Sequence, residues 1–243
     1  MPQIVSIHNL DLVRISVEKI DRRQDGLPGF ACLYGPAGYG KTTALAYVSN
    51  LKRAYYVQIR SAWTAKALLE NVLIEMGLAS RNGKSPGTVA QMLDTVCQQL
   101  TASGRPMVLD EFDHCCRSDS MVELVRDIYE GSQAPIVIAG EELLPQRLKR
   151  WERFHSRVLS WVPAQPVSLN DAKLLAPIYC PGVTVADDLL AHLVSIADGS
   201  VRRVSVNLAG LREEAHIEGW TKIDRQQWGD RPLFTGEAPR KGR

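Results

Sequence analysis

The feature that most constrains the fold is a glycine-rich segment, GPAGYGKT, at residues 35–42. It fits the pattern G-x-x-x-x-G-K-[ST], follows the short apolar run FACLY, and precedes a helical pattern that begins at Lys41. Glycines let the backbone bend so that successive N–H groups point inward, and the free N–H groups of the helix start favour an anion. A strand, this loop and a helix, in that order, predict a phosphate-binding loop rather than a chance glycine-rich turn.

Two side chains of this loop are expected to act directly on a bound nucleotide. Lys41 supplies a mobile positive charge for the β and γ phosphates, and the Thr42 hydroxyl can ligate Mg²⁺. The sequence therefore predicts ATP and Mg²⁺ as cofactors. The residues expected to bind the nucleotide are Gly35, Pro36, Ala37, Gly38, Tyr39, Gly40, Lys41, Thr42 and Thr43.

Short apolar runs alternate with helical patterns in the first two thirds of the chain. Strands are predicted at residues 30–34, 54–59, 107–110, 135–139 and 158–162, with helices at 41–51, 64–76 and 88–101. This alternation is typical of a five-stranded parallel sheet covered on both faces. Ligands of such sheets bind beyond the carboxyl ends of the strands, which is where the glycine-rich loop lies.

The pattern changes after Pro166, where three helices are predicted with no strand between them. They span residues 168–178, 185–197 and 201–218. The expected plan is α/β, with a lead-in at 1–29, a P-loop core at 30–165, an all-helical lid at 166–220 and a flexible tail at 221–243. Within it, residues 229–243 are rich in glycine, proline and charge, a composition that favours disorder.

An acidic pair ends the predicted strand MVLD. A carboxylate at Asp110 would face the phosphate-binding loop and hold magnesium through water. Glu111 beside it would align or deprotonate the attacking water. An acidic turn after a strand is common, but an apolar strand followed by Asp-Glu downstream of such a loop favours ATP hydrolysis.

Composition limits the other possibilities. The 45% hydrophobic and 23% charged residues are those of a soluble globular protein, and a net charge of +2 does not by itself indicate a nucleic-acid binder. The five cysteines form no C-x-x-C pair, which favours reduced thiols. Because we find no signal peptide or membrane-length apolar stretch, we expect a cytoplasmic protein, in the host cytoplasm if it is phage-encoded.

A basic segment covers residues 144–161 and leaves three interpretations open. Its cations are solvated, or bind nucleic-acid phosphates, or include an arginine that reaches the γ-phosphate of a neighbouring subunit. The cations in question are Arg147, Lys149, Arg150, Arg153 and Arg157.

With these residues in view, the chain resembles the AAA+ ATPases, and within them the transposition type: the phage Mu-type B activator, the TniB and TnsC proteins and the ExeA-like group. The resemblance spans most of residues 29–210. The segments that carry it are GPAGYGKT, YVQIRSAWTAKALLENVLIEMGL, PMVLDEFDHC, IAGEELLPQRLKRWERFHSRV and ADGSVRRVSVNLAG.

The resemblance implies a helical lid and a homo-oligomer, a ring or a helical filament, with ATP at subunit boundaries. By position, Arg157 matches the arginine finger, with Arg153 as the alternative. Arg202 matches the lid arginine that senses the γ-phosphate in the same subunit, with Arg203 adjacent to it. After the fourth strand the family has a polar sensor residue, whereas this sequence has GEE, with Glu141 the candidate.

The Mu-type activator begins with a helix-turn-helix domain, whereas here the loop starts at Gly35, so we expect the ATPase core itself to contact DNA. The expected contacts are Lys66, Arg81 and Lys84, whose alternative role is that of solvated charges. The resemblance implies an ATPase that oligomerises on double-stranded DNA and delivers it to a transposase, without a membrane. The alternatives are an ExeA-like ATPase that remodels a protein partner and a nucleotide-binding scaffold without turnover.

Overall fold

A computed structural model of the chain describes residues 7–83 and 86–236. Its main sheet has five parallel strands in the order β2-β3-β4-β1-β5, which confirms the predicted α/β architecture. The strands are β1 (Phe30–Tyr34), β2 (Tyr55–Gln58), β3 (Met107–Asp110), β4 (Ile136–Gly140) and β5 (Val158–Pro163). Because β4 lies between β1 and β3, the glycine-rich loop and the acidic pair end strands that are not neighbours.

One helix precedes these strands and the others connect them. They are α1 (His8–Asp21), α2 (Lys41–Lys52), α3 (Ala65–Glu75), α4 (Val89–Ser103), α5 (Asp119–Ser132), α6 (Leu144–Leu148) and α7 (Glu152–His155), with a 3₁₀ helix at Phe112–Arg117. Side-chain caps define two of the helix starts. Thr64 accepts from the backbone of Ala67, and Thr88 forms a reciprocal capping box with Gln91.

Contacts within the chain group the described residues into two units. The larger comprises residues 10–36 and 41–164, and the smaller comprises residues 7–9, 37–40 and 165–236. The four loop residues 37–40 therefore group with the C-terminal part of the chain.

One face of the main sheet carries the core of the larger unit. Alternate strand residues such as Phe30 and Cys32 point into it, and both are completely buried. The Phe30 ring lies 4.7 Å from that of Phe154 and 5.0 Å from that of Tyr129, measured between centroids. These aromatic contacts fix the amino end of β1 against α5 and α7, so the carboxyl end of β1 starts the loop from a rigid base.

The lead-in contains a helix that we did not predict. Within α1, the side chains of Leu10, Val13, Val17 and Ile20 are all buried, at the three- and four-residue spacing of one helix face. This periodicity is visible in the sequence and is sufficient to predict the helix.

The smaller unit contains α8 (Leu169–Tyr179), α9 (Asp187–Ile196), α10 (Val201–Glu218) and α11 (Arg225–Trp228). It is not all-helical, because β6 (Thr184–Val185) pairs in parallel with β7 (Lys222–Ile223). Two-residue strands are too short to show alternation, so the sequence pattern did not indicate them.

Part of the segment expected to be a flexible tail is folded. Trp228 is 6% exposed, and the Asn207 side chain exchanges two hydrogen bonds with the backbone of Phe234. Trp228 is therefore packed within the segment expected to be a flexible tail, and the amide pair holds Phe234, where the composition favours disorder. Residues 237–243 lie outside the described part of the chain.

The five cysteines are free thiols, as expected. Burial, together with the charge of Asp113, raises the pKa of Cys116 to about 12. Within the described residues, none of the helices combines the length and apolar character needed to cross a membrane.

Candidate ATP site

The glycine-rich loop adopts backbone conformations that require glycine. Gly35, Gly38 and Gly40 have φ values of 155°, 86° and 85°. A Cβ atom at Gly35 would lie 2.8 Å from the Cβ atom of Ala164, a distance too short for two carbons. The loop is therefore fixed by φ and by close packing, in agreement with the pattern that predicted it.

Lys41 begins α2 and turns its side chain back over the loop. Its ammonium donates hydrogen bonds to the carbonyl oxygens of Gly35 (2.6 Å) and Pro36 (2.9 Å). Burial lowers the pKa of Lys41 from its ordinary value, while the charges of Glu111 and Asp110 oppose that shift. Two neutral carbonyl groups thus hold the ammonium at the loop. Because they do not neutralise its positive charge, that charge can attract phosphate oxygens.

The Asp110 carboxylate lies at the end of β3 and is only 2% exposed. Its Oδ2 atom accepts hydrogen bonds from the Thr42 hydroxyl (2.8 Å) and the Tyr56 hydroxyl (2.9 Å). Burial, with the charge of Asp110 next in size, raises the pKa of Tyr56 well above its ordinary value, so this phenol stays a donor. The fold thus brings together Thr42 and Asp110, which are 68 residues apart in sequence.

These two residues fit a magnesium ion carried in by a nucleotide. Mg²⁺ prefers oxygen donors and is usually bound through one or two protein groups, with phosphates and waters completing its shell. The Thr42 hydroxyl and Asp110 carboxylate supply that donor set at the loop. When bound, the ion would neutralise charge on the β and γ phosphates.

Glu111 has an unusual backbone. Its φ of 58° and ψ of 41° lie in the left-handed region, and its N–H donates to Oδ1 of Asp110 (2.9 Å). A residue with a Cβ atom pays about 1–3 kcal/mol for a conformation of this kind, and such strain clusters at functional sites. The conformation directs the chain from β3 into the 3₁₀ helix and leaves the Glu111 side chain partly exposed beside Asp110.

The carboxyl end of β4 is joined to the 3₁₀ helix by a buried carboxylate. Oδ2 of Asp113 accepts from the backbone N–H of Glu141 (2.6 Å), and Oδ1 accepts from Nη1 of Arg147 (2.8 Å). The Glu141 carboxylate itself is 65% exposed and lies 3.5 Å from Arg147. Its backbone, rather than its side chain, therefore makes the close contact at the expected sensor position.

The candidate finger Arg157 lies at the amino-terminal end of the parallel strands, whereas the glycine-rich loop lies at their carboxyl-terminal end. Its carbonyl accepts from the N–H of Phe30 at the amino end of β1, whereas the loop follows the carboxyl end of β1. Five strand residues separate these ends, which is about 17 Å at roughly 3.3 Å per residue. The Arg157 side chain pairs with Glu130 (2.7 Å), and Arg153, in α7, is exposed. The backbone of Arg157 therefore lies far from the loop of the same chain.

The two lid candidates differ in their surroundings. Arg202 is in the first turn of α10, exposed, and its backbone N–H donates to the carbonyl of Gly38 (3.3 Å). The Arg203 side chain instead contacts Asp198 (3.6 Å) and the carbonyl of Ala197 (3.4 Å). The Arg203 side chain is thus already paired, whereas the Arg202 side chain is exposed and its backbone contacts Gly38.

The expected DNA contacts are less defined. Lys66 is exposed in the first turn of α3 and lies 3.9 Å from Glu70, and Arg81 is exposed in the loop after α3. Lys84 lies outside the described residues.

Sequence reasoning missed Tyr56, Asp113 and the structural role of Arg147. The sequence predicts Tyr56 only as a strand residue, because its contact with Asp110 depends on the parallel pairing of β2 with β3. Asp113 is buried and therefore needs partners, but those partners, the backbone of Glu141 and the side chain of Arg147, are distant in sequence.

A phosphate-binding loop with its lysine, and a carboxylate pair at the end of a parallel strand, define a P-loop nucleotide hydrolase. The family model described as an AAA domain matches residues 24–148, just over half of the 243 residues. The chain belongs to this AAA domain family and is an ATP-hydrolysing enzyme. No curated protein matches the chain in sequence.

Several solved structures are similar to this chain. The ORC2 protein of Aeropyrum pernix, solved as ADPNP–ADP complexes, has 16% identity and a TM-score of 0.69, with 93% of this chain and 68% of that chain covered. The ORC1 protein of Aeropyrum pernix in complex with DNA has 19% identity and a TM-score of 0.65, with 92% and 64% covered. Drosophila ORC bound to DNA has 16% identity and a TM-score of 0.58, with 95% and 68% covered.

At these identities the likeness shows a shared AAA+ fold. This chain spans about two thirds of the length of those chains.

Proposed function

We propose that this ATPase oligomerises on double-stranded DNA when it holds ATP, with little sequence preference, and delivers that DNA to a transposase. The observation that carries the proposal is the position of Arg157. It lies beside the amino end of β1, whereas the P-loop follows the carboxyl end of β1. In this proposal Arg157 completes the site of a neighbouring copy, so full activity requires a second copy of the chain.

In the proposed cycle, each residue of the site has one role. Lys41 neutralises charge on the β and γ phosphates, and Thr42 with Asp110 holds magnesium. Glu111 orients or deprotonates the attacking water, while Arg157 of a neighbouring subunit stabilises transition-state charge and Arg202 senses the γ-phosphate. ATP at the boundary then locks the oligomer, and hydrolysis releases it.

Two observations support DNA as the ligand. The resemblance to transposition ATPases spans most of residues 29–210, and two similar AAA+ structures were solved with DNA. A net charge of +2 gives one copy little affinity for phosphates, so strong binding requires several copies along the backbone. Lys66 and Arg81 are the proposed contacts within the described residues.

A DNA retention assay with ATP, with ADP and without nucleotide, at two salt concentrations, tests this proposal. With ATP, retention should rise steeply with protein concentration and fall strongly with salt, because phosphate contacts release counterions. The Lys41→Ala variant, which lacks the phosphate-binding charge, is the control and should retain no DNA above the ADP level.

The second candidate is an ATPase that remodels a protein partner. It shares the ATP site but requires no DNA. Measurable ATP hydrolysis without DNA retention at low salt would refute the transposition proposal and favour this one.

A further inference from the structure

The hydroxyl of Tyr56 makes a contact that the catalytic roles above do not use. It donates to Oδ2 of Asp110 at 2.9 Å, and this same oxygen accepts from Thr42 at 2.8 Å. The other carboxylate oxygen, Oδ1, accepts from the backbone of Glu111. Three donors therefore fix both oxygens of one buried carboxylate.

The two adjacent tyrosines of β2 have different surroundings. Tyr55 is buried in the core cluster, and its hydroxyl accepts from Gln99 (3.0 Å). Tyr56, one residue later, points to the opposite face, is only partly buried and meets Asp110. Of this pair, only Tyr56 places a hydroxyl at the ATP site.

A donor at this position controls how the carboxylate is oriented. An ionised carboxylate away from water needs several donors, and charge-assisted hydrogen bonds are about twice as strong as neutral ones. If the Thr42 hydroxyl binds a metal ion, the hydroxyl of Tyr56, on β2, still donates to Oδ2 of Asp110 and restrains it. Outer groups of this kind set the geometry of the groups that hold a metal.

We propose that Tyr56 is a positioning residue, which holds the Asp110 carboxylate in the orientation that magnesium requires. In this role it acts through Asp110 rather than on the nucleotide. The inference concerns the ATP site alone and does not depend on DNA binding or on a transposase.

The test is the Tyr56→Phe variant, with Tyr55→Phe as the matched control from the same strand. The readout is nucleotide affinity, measured with ADP alone and with ADP plus increasing Mg²⁺. In Tyr56→Phe the affinity for ADP alone should stay within about twofold, while the Mg²⁺ concentration needed to enhance binding should rise about 10-fold to 100-fold. Tyr55→Phe should keep the wild-type Mg²⁺ dependence, because its hydroxyl faces the core.

A second variant distinguishes the effect of losing the Tyr56 hydroxyl from the effect of losing the packing of its ring. Tyr56→Leu lacks both, so it should share the Mg²⁺ defect of Tyr56→Phe and show a lower thermal unfolding midpoint. ATP hydrolysis by Tyr56→Phe should recover at high Mg²⁺. A Tyr56→Phe variant that folds and needs no more Mg²⁺ than the wild type would overturn the proposal, as would an equal defect in Tyr55→Phe.

Discussion

Glu111 is the residue whose conformation bears most directly on turnover. Its left-handed backbone and its N–H bond to Asp110 place a partly exposed carboxylate next to the buried one. These two neighbouring acids have different environments: Asp110 is enclosed by donors, and Glu111 is open to a water molecule. This difference supports a role for Asp110 in binding the metal ion and a role for Glu111 in activating the attacking water.

The Glu111→Gln substitution keeps the shape of the side chain and removes its basicity. We expect ATP to bind with nearly unchanged affinity while the hydrolysis rate falls by about 100-fold or more, because a positioned base contributes that much. Nucleotide titration and a steady-state phosphate assay measure the two quantities. Hydrolysis at the wild-type rate would assign the base to another residue.

At the scale of elements, the strands and the loop of the ATP site were predictable because each has a strong local signal. The run MVLD was predicted as a strand and forms β3, and α10 covers the predicted residues Val201–Glu218. The ladder of β6 and β7 was not predictable, since two-residue strands depend on partners distant in sequence. The contacts of Tyr56 and Asp113 were missed for the same reason.

The hydrogen bonds of Asp113 join the 3₁₀ helix to the carboxyl end of β4, and we expect their loss to lower the stability of the fold. Arg147→Met removes the charged partner of Asp113, which is 8% exposed at its side chain. We expect the free energy of unfolding to fall by about 1–3 kcal/mol, because Asp113 keeps only the backbone donor of Glu141. The lower half of that range is expected, since the Arg147 side chain is 42% exposed and solvent screens the pair.

The matched control is Arg150→Met, which breaks a pair with Asp119 whose side chains are 69% and 64% exposed. Its effect should be within about 1 kcal/mol, as for other surface pairs. Urea unfolding of both variants measures the difference. Equal losses would show that Asp113 does not depend on Arg147.

For the whole molecule, the central question is whether one subunit contains a complete site. Arg157 lies about 17 Å along β1 from the loop by strand length, and it pairs with Glu130 in its own subunit. In the proposed cycle Arg157 acts on a neighbouring subunit, and ATPase activity is then a property of the assembly.

Mixing variants tests this arrangement. Arg157→Ala has an intact loop, and Lys41→Ala has an intact finger, so mixed oligomers contain interfaces that join the two. We expect activity to return in part, and an arginine finger worth about 10³-fold or more makes modest recovery visible. Arg202→Ala mixed with Lys41→Ala should recover less, because a lid arginine acts in the subunit that binds the ATP.

Absence of recovery with Arg157→Ala, in samples where mixed oligomers are demonstrated, would place the finger elsewhere. Arg153→Ala is then the next variant to mix.

The most direct test of the account is the lifetime of the DNA complex formed with ATP by Glu111→Gln and by the wild type. We expect Glu111→Gln, which binds ATP without hydrolysing it, to dissociate from duplex DNA far more slowly than the wild type, while both proteins leave quickly with ADP. Equal lifetimes with ATP, in a variant shown to have lost hydrolysis, would contradict the claim that ATP locks the oligomer on DNA and hydrolysis releases it.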